Sequence, residues 1–271
     1  MNVYAQQTVD NSKVPLVILA GGLGTRMGQL TEDLPKPMLE IHGVPMLLHI
    51  MLHYAKFGTN EFHILGGYKS SAIKNYFENL TLNTSSISIT YDPDGRSIVN
   101  RIASQNEMKG WKVFIHETGF HTGTGERLRR VRSFLPDIFY FTYGDGLSDF
   151  DPTTGLSLLS EASACAVICA VSKKERFGNL TVEKDGSVID FQEKRSEQLS
   201  WINGGFMCLS RDVIEYITGG NDSFELDVLP RLVQAAKVLA IRHYGFWTAL
   251  DNERELKAIN SCEQLPWING Y

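Results

Sequence analysis

Two cations follow a glycine run in the stretch VILAGGLGTRMGQLTEDLPKPM, residues 17–38. Leu19 and Ala20 close an apolar segment. Gly21, Gly22 and Gly24 come next, then Thr25 and Arg26, and Lys36 stands between Pro35 and Pro37. Glycines placed directly after a buried strand let backbone N–H groups approach phosphates closely. Arg26 offers a fork of donors and Lys36 a point charge. The two prolines hold Lys36 on an extended segment and limit where its ammonium can go. The loop lacks the Gly-Lys-Ser/Thr of a P-loop. It also lacks the acid that a dinucleotide fingerprint places about 20 residues further on at a strand end. By itself such a loop reads equally well as a structural turn; the paired cations make it specific. They suit a reaction in which negative charge grows on a triphosphate, because phosphoryl and nucleotidyl transfers depend on positioning and charge neutralisation.

Two carboxylates are the natural complement. Asp145 lies in TYGDGLSD, after an apolar run and between Gly144 and Gly146, and Asp251 ends FWTALD. Carboxylates at strand ends point into the ligand crevice of an open α/β sheet. Two of them, with substrate phosphates and water, make a magnesium site. Asp251 reads equally well as the N-cap of a helix beginning NERELKAI. Asp149 and Asp151 read as turn or cap residues.

The elements that must hold these residues follow from the apolar pattern. PLVILAGG is a short buried strand closed by glycine. PMLLHIMLHYAKFG has helical spacing and ends at Gly58, EFHILGGY is a strand, and SSAIKNYFENL is a serine-capped helix. This alternation predicts a doubly wound, mostly parallel α/β sheet. Residues 81–109 break the pattern with a polar stretch and the turn signal YDPDG, and are expected to be an insertion, a flap or an oligomer contact. FGNLTVEKDGSVIDFQEK alternates about Asp185-Gly186 as a hairpin, and WINGGFMCLS adds a strand. Residues 1–13 are polar and read as a flexible arm, and 14–271 as one domain.

The chain has 271 residues, 43% of them hydrophobic, a formal net charge of −5 and a pI near 5.8. That balance speaks against a nucleic-acid or membrane-surface partner, and no apolar run approaches the roughly 18 residues of a membrane span. The four cysteines form no zinc pattern and read as buried free thiols. A cytoplasmic protein is expected.

At this point the motifs carry a resemblance. L-A-G-G-x-G-T-R followed by P-K-P resembles the signature of the sugar-1-phosphate nucleotidyltransferases. GYKSSAIKNYF, TYGDGLSDFD, RFGNL, FQEK, WINGGF and GFWTALD resemble, in order, motifs of its glucose-1-phosphate cytidylyltransferase branch. The similarity is collinear from Pro15 to about Trp267. It implies a Rossmann-like, GT-A-like fold and the reaction of CTP with a sugar 1-phosphate, glucose 1-phosphate foremost, to a CDP-sugar and pyrophosphate. It implies Mg2+ on Asp145 and Asp251, with Arg26, Lys36 and Asp145 as the catalytic set. The nucleotide would be held by Leu19, Ala20, Gly21, Gly22, Gly24, Thr25, Arg26, Lys36, Gly144, and Thr122 and Arg127 of the block ETGFHTGTGERL. The sugar phosphate would meet Glu193, Lys194, Asn203 and Gly204. A homo-oligomer is implied as well. The chain departs from the family pattern at Glu126, where a glycine is usual, at Arg195, where a proline is usual, and at Leu226-Asp227. These departures motivate one alternative, nucleotidyl transfer to another phosphorylated acceptor; a nucleotide-sugar sensor without turnover is a second, against which the intact Arg26, Lys36, Asp145 and Asp251 argue.

Overall fold

In the computed structural model, which describes residues 14–267 other than 85, 95, 103–107, 174–178, 183–186, 193–199 and 266, the run Leu16–Ala20 is a strand, β1, buried along its whole length. It joins Glu61–Gly66 (β2), Lys112–Glu117 (β3), Ile138–Tyr143 (β4), Ala166–Lys173 (β5), Ser200–Ser210 (β6) and Val238–His243 (β7). Together they form a seven-stranded sheet in the order β7-β5-β6-β4-β1-β2-β3. β1 pairs in parallel with β2 and β4, β2 with β3, and β5 with β7, while β6 runs antiparallel to both β4 and β5. The sheet is therefore mixed and mostly parallel.

Alternate residues of β1 enter opposite cores. Leu16, Ile18 and Ala20 pack on one face with Phe62, Ile64 and Tyr140; Val17 and Leu19 pack on the other with Leu65, Phe139 and Phe141. A strand buried on both faces needs a continuous apolar run, which is how LVILA reads. The first face is covered by helix α1 (Met46–Ala55), α2 (Ser70–Thr84), α4 (Thr153–Glu161) and α6 (Glu253–Asn260). The second is covered by α3 (Thr124–Arg130) and α5 (Leu229–Gln234). The expected insertion begins inside α2. Its other described parts include an antiparallel pair, Ser86–Tyr91 with Ser97–Ile102, whose turn is held by Asp92 Oδ1 accepting from the N–H groups of Asp94 (3.0 Å) and Arg96 (2.8 Å). The DPDG turn signal thus acts through an aspartate side chain. The 179–192 stretch pairs as Asn179–Val182 against Val188–Gln192; its turn and the 1–13 arm lie outside the described residues. All four cysteines are free, three buried and Cys262 exposed.

His53 sits in the α1 face of the core, 5% exposed, and donates Nε2–H to the Phe150 carbonyl at 2.7 Å. Burial pushes its pKa down to about 4, against the smaller upward pull of that hydrogen bond. The imidazole is neutral in the fold but titrates near 6.5 in the unfolded chain, so the unfolded state binds more protons as pH falls. Stability is therefore expected to drop between pH 6.5 and 4, by about 3 kcal/mol from this group. Urea melts at pH 7.5 and 5.0 test this. The slope should flatten in His53→Phe, and an unchanged slope in that variant would contradict the assignment.

Candidate active site

The chain leaves β1 toward β2 and β3, then returns across β1 to β4. Strand order reverses between β1 and β4, and ligand crevices of open α/β sheets form at that point, outside the carboxyl ends of the strands. A cleft of about 620 Å³ opens there. Leu19 and Ala20 line it from the end of β1, Gly22 and Gly24 from the loop that follows, and Tyr143, Gly144 and Asp145 from the end of β4. Lys36, Asn203, Asp251, Thr124 and Glu225 complete its polar wall. A hollow of about 320 Å³ adjoins it, sharing Tyr143, Asp145, Asn203 and Asp251 and adding Gly204, Trp247 and Glu255.

The glycine loop is pinned from below. Gly24 has φ +63°, a conformation that a side chain disfavours. Its carbonyl and that of Gly28 accept from Thr31 Oγ1 at 3.0 and 3.2 Å. Gly21 is closed in against the Arg127 guanidinium, which a Cβ at that position would strike. Thr25 and Arg26 open a 3-10 segment, Thr25–Thr31, and the described structure gives their backbone course only.

Lys36 begins a short 3-10 turn, Lys36–Met38, between buried Pro35 and Pro37. Its side chain is 11% exposed, and Nζ donates to Asp145 Oδ2 at 2.8 Å and to Asp251 Oδ1 at 2.9 Å. Burial alone would lower the ammonium's pKa; the two carboxylates outweigh burial and raise it. The aspartates meet because Gly146–Ser148 pairs antiparallel with Trp247–Ala249, putting Gly146 opposite Ala249. Leu250 N–H then donates to the Asp145 carbonyl at 3.0 Å. The N-cap of α6 is Asn252, whose Oδ1 accepts from Glu255 N–H at 3.0 Å. That settles the open alternative for Asp251: its carboxylate faces the cleft. Asp151 caps the start of α4 through Thr153 N–H at 2.8 Å, and Asp149 pairs with His243 at 2.9 Å.

Among the described residues no group of three or more His, Cys, Asp or Glu side chains could hold a metal. Two carboxylates already converge on one cation, and both are partly open to solvent, at 37% and 43%. Hard oxygen donors, only two of them, beside space for phosphates, fit a magnesium ion that takes its remaining ligands from substrate and water.

The structure does not bring every expected residue to the cleft. Arg127 is buried beneath the loop. Its Nη1 donates to Gly66 O (3.1 Å), Thr118 Oγ1 (2.6 Å) and Gly119 O (2.7 Å), and its Nη2 to Gly21 O (3.0 Å) and Phe120 O (3.3 Å). It ties together the segments that follow β1, β2 and β3 rather than presenting donors to a ligand. Thr122 packs near Gly119 and does not line the cleft; Thr124, two residues on, does. Glu126, which stands where the family has a glycine, is buried. Its carboxylate turns to Arg129 Nε at 2.6 Å and Arg130 Nε at 3.2 Å. Glu193 and Lys194 lie outside the described residues. Tyr143, Thr124 and Glu225 belong to the cleft and were not among the expected site residues. The period-2 alternation of β4 held the signal for Tyr143, which ends the same strand that delivers Asp145.

Fold and cleft together are those of an α/β protein with a polar crevice at the switch point of its sheet. The chain belongs to the nucleotidyl transferase family, whose model matches residues 16–251. It is 39% identical over 256 residues to the "Probable glucose-1-phosphate cytidylyltransferase" of Bacillus subtilis, covering 94% of this chain and 96% of that protein. It is 36% identical to the glucose-1-phosphate cytidylyltransferase of Salmonella typhi, covering 93% and 97%. Among solved structures, HddC from Yersinia pseudotuberculosis complexed with GMP-PN superposes with a TM-score of 0.63 at 23% identity, covering 91% of this chain and 98% of that one; the likeness is one of fold.

Proposed function

We propose that this protein transfers the cytidylyl group of CTP to a sugar 1-phosphate, glucose 1-phosphate foremost, and releases pyrophosphate. The observation that carries the reading is the convergence of Lys36, Asp145 and Asp251 beside the glycine loop. The names of relatives at 36–39% identity over nearly the whole chain direct it to CTP and glucose 1-phosphate.

In this reading the acceptor's phosphate oxygen attacks the α-phosphorus in line, the bond to the β-phosphate breaks, and pyrophosphate departs with its electron pair. The nucleophile is ionised at neutral pH, so no general base is needed. The loop's backbone N–H groups hold the triphosphate. Lys36 leaves the aspartates for the α-phosphate, Arg26 stabilises the departing pyrophosphate, and Lys194 places the acceptor. Asp145 and Asp251 would hold Mg2+, which when bound neutralises phosphate charge and fixes phosphate geometry.

The departures at residues 226–227 give the other-acceptor reading little support. Leu226 is 80% exposed, and Asp227 Oδ2 accepts from Ser223 N–H at 2.8 Å. Neither lines the cleft. Among the described residues no helix is long and apolar enough to cross a membrane. A cytoplasmic setting is part of the proposal, with which the free thiols accord.

The test is pyrophosphate release from a panel of CTP, UTP, dTTP and ATP against several phosphorylated acceptors. CTP with glucose 1-phosphate is expected to give the highest kcat/KM. A higher value for another pair would replace the substrate assignment.

A further inference from the structure

Asp251 sits at the junction of two fixed pieces of chain. Before it, Trp247–Ala249 pairs with Gly146–Ser148, and the Leu250 N–H donates to the Asp145 carbonyl at 3.0 Å. After it, α6 begins at its N-cap, Asn252. The N–H of Asp251 itself donates to Glu255 Oε2 at 2.6 Å. Glu255 is the third residue of α6, and its own N–H donates to Asn252 Oδ1 at 3.0 Å. In a capping box the side chain at this helix position returns to the N–H of the N-cap residue. Here it returns one residue earlier, to the residue whose carboxylate stands 2.9 Å from Lys36 Nζ. A bond in the usual place would serve the helix alone; this one fixes the peptide plane that leads into Asp251. Glu255 is half-buried and lines the smaller hollow together with Asp145 and Asp251. It does not make a third metal ligand, since among the described residues no group of three such side chains could hold a metal.

We propose that Glu255 is a positioning residue for the divalent-cation site, acting through the Asp251 backbone to hold the two aspartates at the spacing of a shared cation. The inference rests on the reading of Asp145 and Asp251 as the residues that would hold Mg2+. Spacing matters because the site has only two carboxylates, and a small ion with near-octahedral demands tolerates little drift between them. Two successive backbone bonds set it. Leu250 N–H ties the chain to the Asp145 carbonyl, and Glu255 fixes the next peptide. Groups that orient metal ligands without touching the metal change its affinity by about ten- to a hundredfold when removed. A backbone N–H is met by a carbonyl oxygen as well as by a carboxylate oxygen, so the role needs the acceptor and not the negative charge.

Mn2+ binding to the full chain, measured by calorimetry in the Lys36→Met background where no ammonium competes for the aspartates, tests this. Adding Glu255→Leu is expected to weaken Mn2+ binding about tenfold. Adding Glu255→Gln keeps a carbonyl acceptor and should leave the affinity within about threefold of the background. Adding Asn252→Ala removes the other half of the reciprocal pair. It should lower the melting temperature by a few degrees, as Glu255→Leu does, while Mn2+ affinity stays within about threefold. With Lys36 in place, Glu255→Leu should raise the Mg2+ concentration at half-maximal turnover about tenfold and leave kcat at saturating Mg2+ within about threefold. The proposal is overturned if Mn2+ affinity does not move in Glu255→Leu. It is overturned if Glu255→Gln, folded by its melt, is as impaired as Glu255→Leu, which would assign the effect to charge or direct ligation. It is also overturned if Asn252→Ala weakens Mn2+ binding as much, which would assign the effect to the helix start as a whole. A Lys36→Met protein that binds no Mn2+, or whose Mn2+ binding survives loss of both aspartates, overturns the metal reading and this role with it. Mn2+ binding that needs both aspartates and ignores Glu255 overturns the positioning role alone.

Discussion

Replacing Lys36 with methionine is expected to lower kcat/KM by about a thousandfold, while the melting temperature changes by only a few degrees. Methionine keeps most of the unbranched stem between Pro35 and Pro37 and removes the charge. The lost charge is one held in a nearly closed position, with the side chain 11% exposed and Nζ fixed at 2.8 and 2.9 Å from two carboxylates. In the transfer that charge passes from the two carboxylates to the α-phosphate, and a cation meeting developing charge in a shielded site carries much of the rate enhancement. Stability responds less, because both carboxylates are more than a third exposed and rehydrate when the ammonium is gone. The same geometry gives a second readout. Lys36 occupies the carboxylates that Mg2+ would take, so the free methionine variant should bind Mn2+, used as a probe, more tightly than the wild type by calorimetry. Activity within a few-fold of wild type would remove Lys36 from the reaction. Unchanged metal affinity would show that the ammonium and the metal do not compete for Asp145 and Asp251.

The second large effect is expected from the aspartates. Asp145→Asn and Asp251→Asn should each reduce turnover by about a thousandfold at fixed Mg2+. The amide keeps the shape of the carboxylate but removes half of the anionic donor set, and a hard divalent ion depends on that charge. The two residues converge on one point, so the double variant should be little worse than either single variant. A titration of rate against Mg2+ checks this: the half-saturating concentration should rise steeply in each variant. An unchanged Mg2+ dependence with lowered kcat would mean that the carboxylates serve Lys36 alone. Asp149→Asn is the internal control. Its carboxylate pairs with His243, away from the cleft lining, and activity should stay within about twofold.

The sheet was legible where strands are buried on both faces. LVILA admits few other readings, and the glycines at its end locate the crevice. Lys36 stood out in the sequence because two prolines fix its backbone, but the carboxylates it meets did not, lying 109 and 215 residues away. What unites them is the pairing of Gly146–Ser148 with Trp247–Ala249. Strands of three residues carry almost no periodicity, so that pairing leaves little trace in the sequence. Arg127 was misplaced for a related reason. A guanidinium at the start of a helix looks the same in sequence whether it meets phosphates or, as here, five acceptors on neighbouring residues. Glu126, a departure from the family pattern, is accommodated because its carboxylate turns to Arg129 and Arg130. Asp251 and Asn252 compete for one cap, and only the backbone decides between them: Asn252 takes it. Glu225 and Thr124 meet across 101 positions, a distance at which local pattern is silent.

The most direct measurement of the central claim follows the phosphorus. Purified protein would be incubated with glucose 1-phosphate, Mg2+ and CTP labelled at the α-phosphate. The label is expected to appear in CDP-glucose and to be absent from pyrophosphate, at a rate that Lys36→Met lowers about a thousandfold. Label that stays in CTP while CDP-glucose binds tightly, or equal transfer by the variant, would contradict the account.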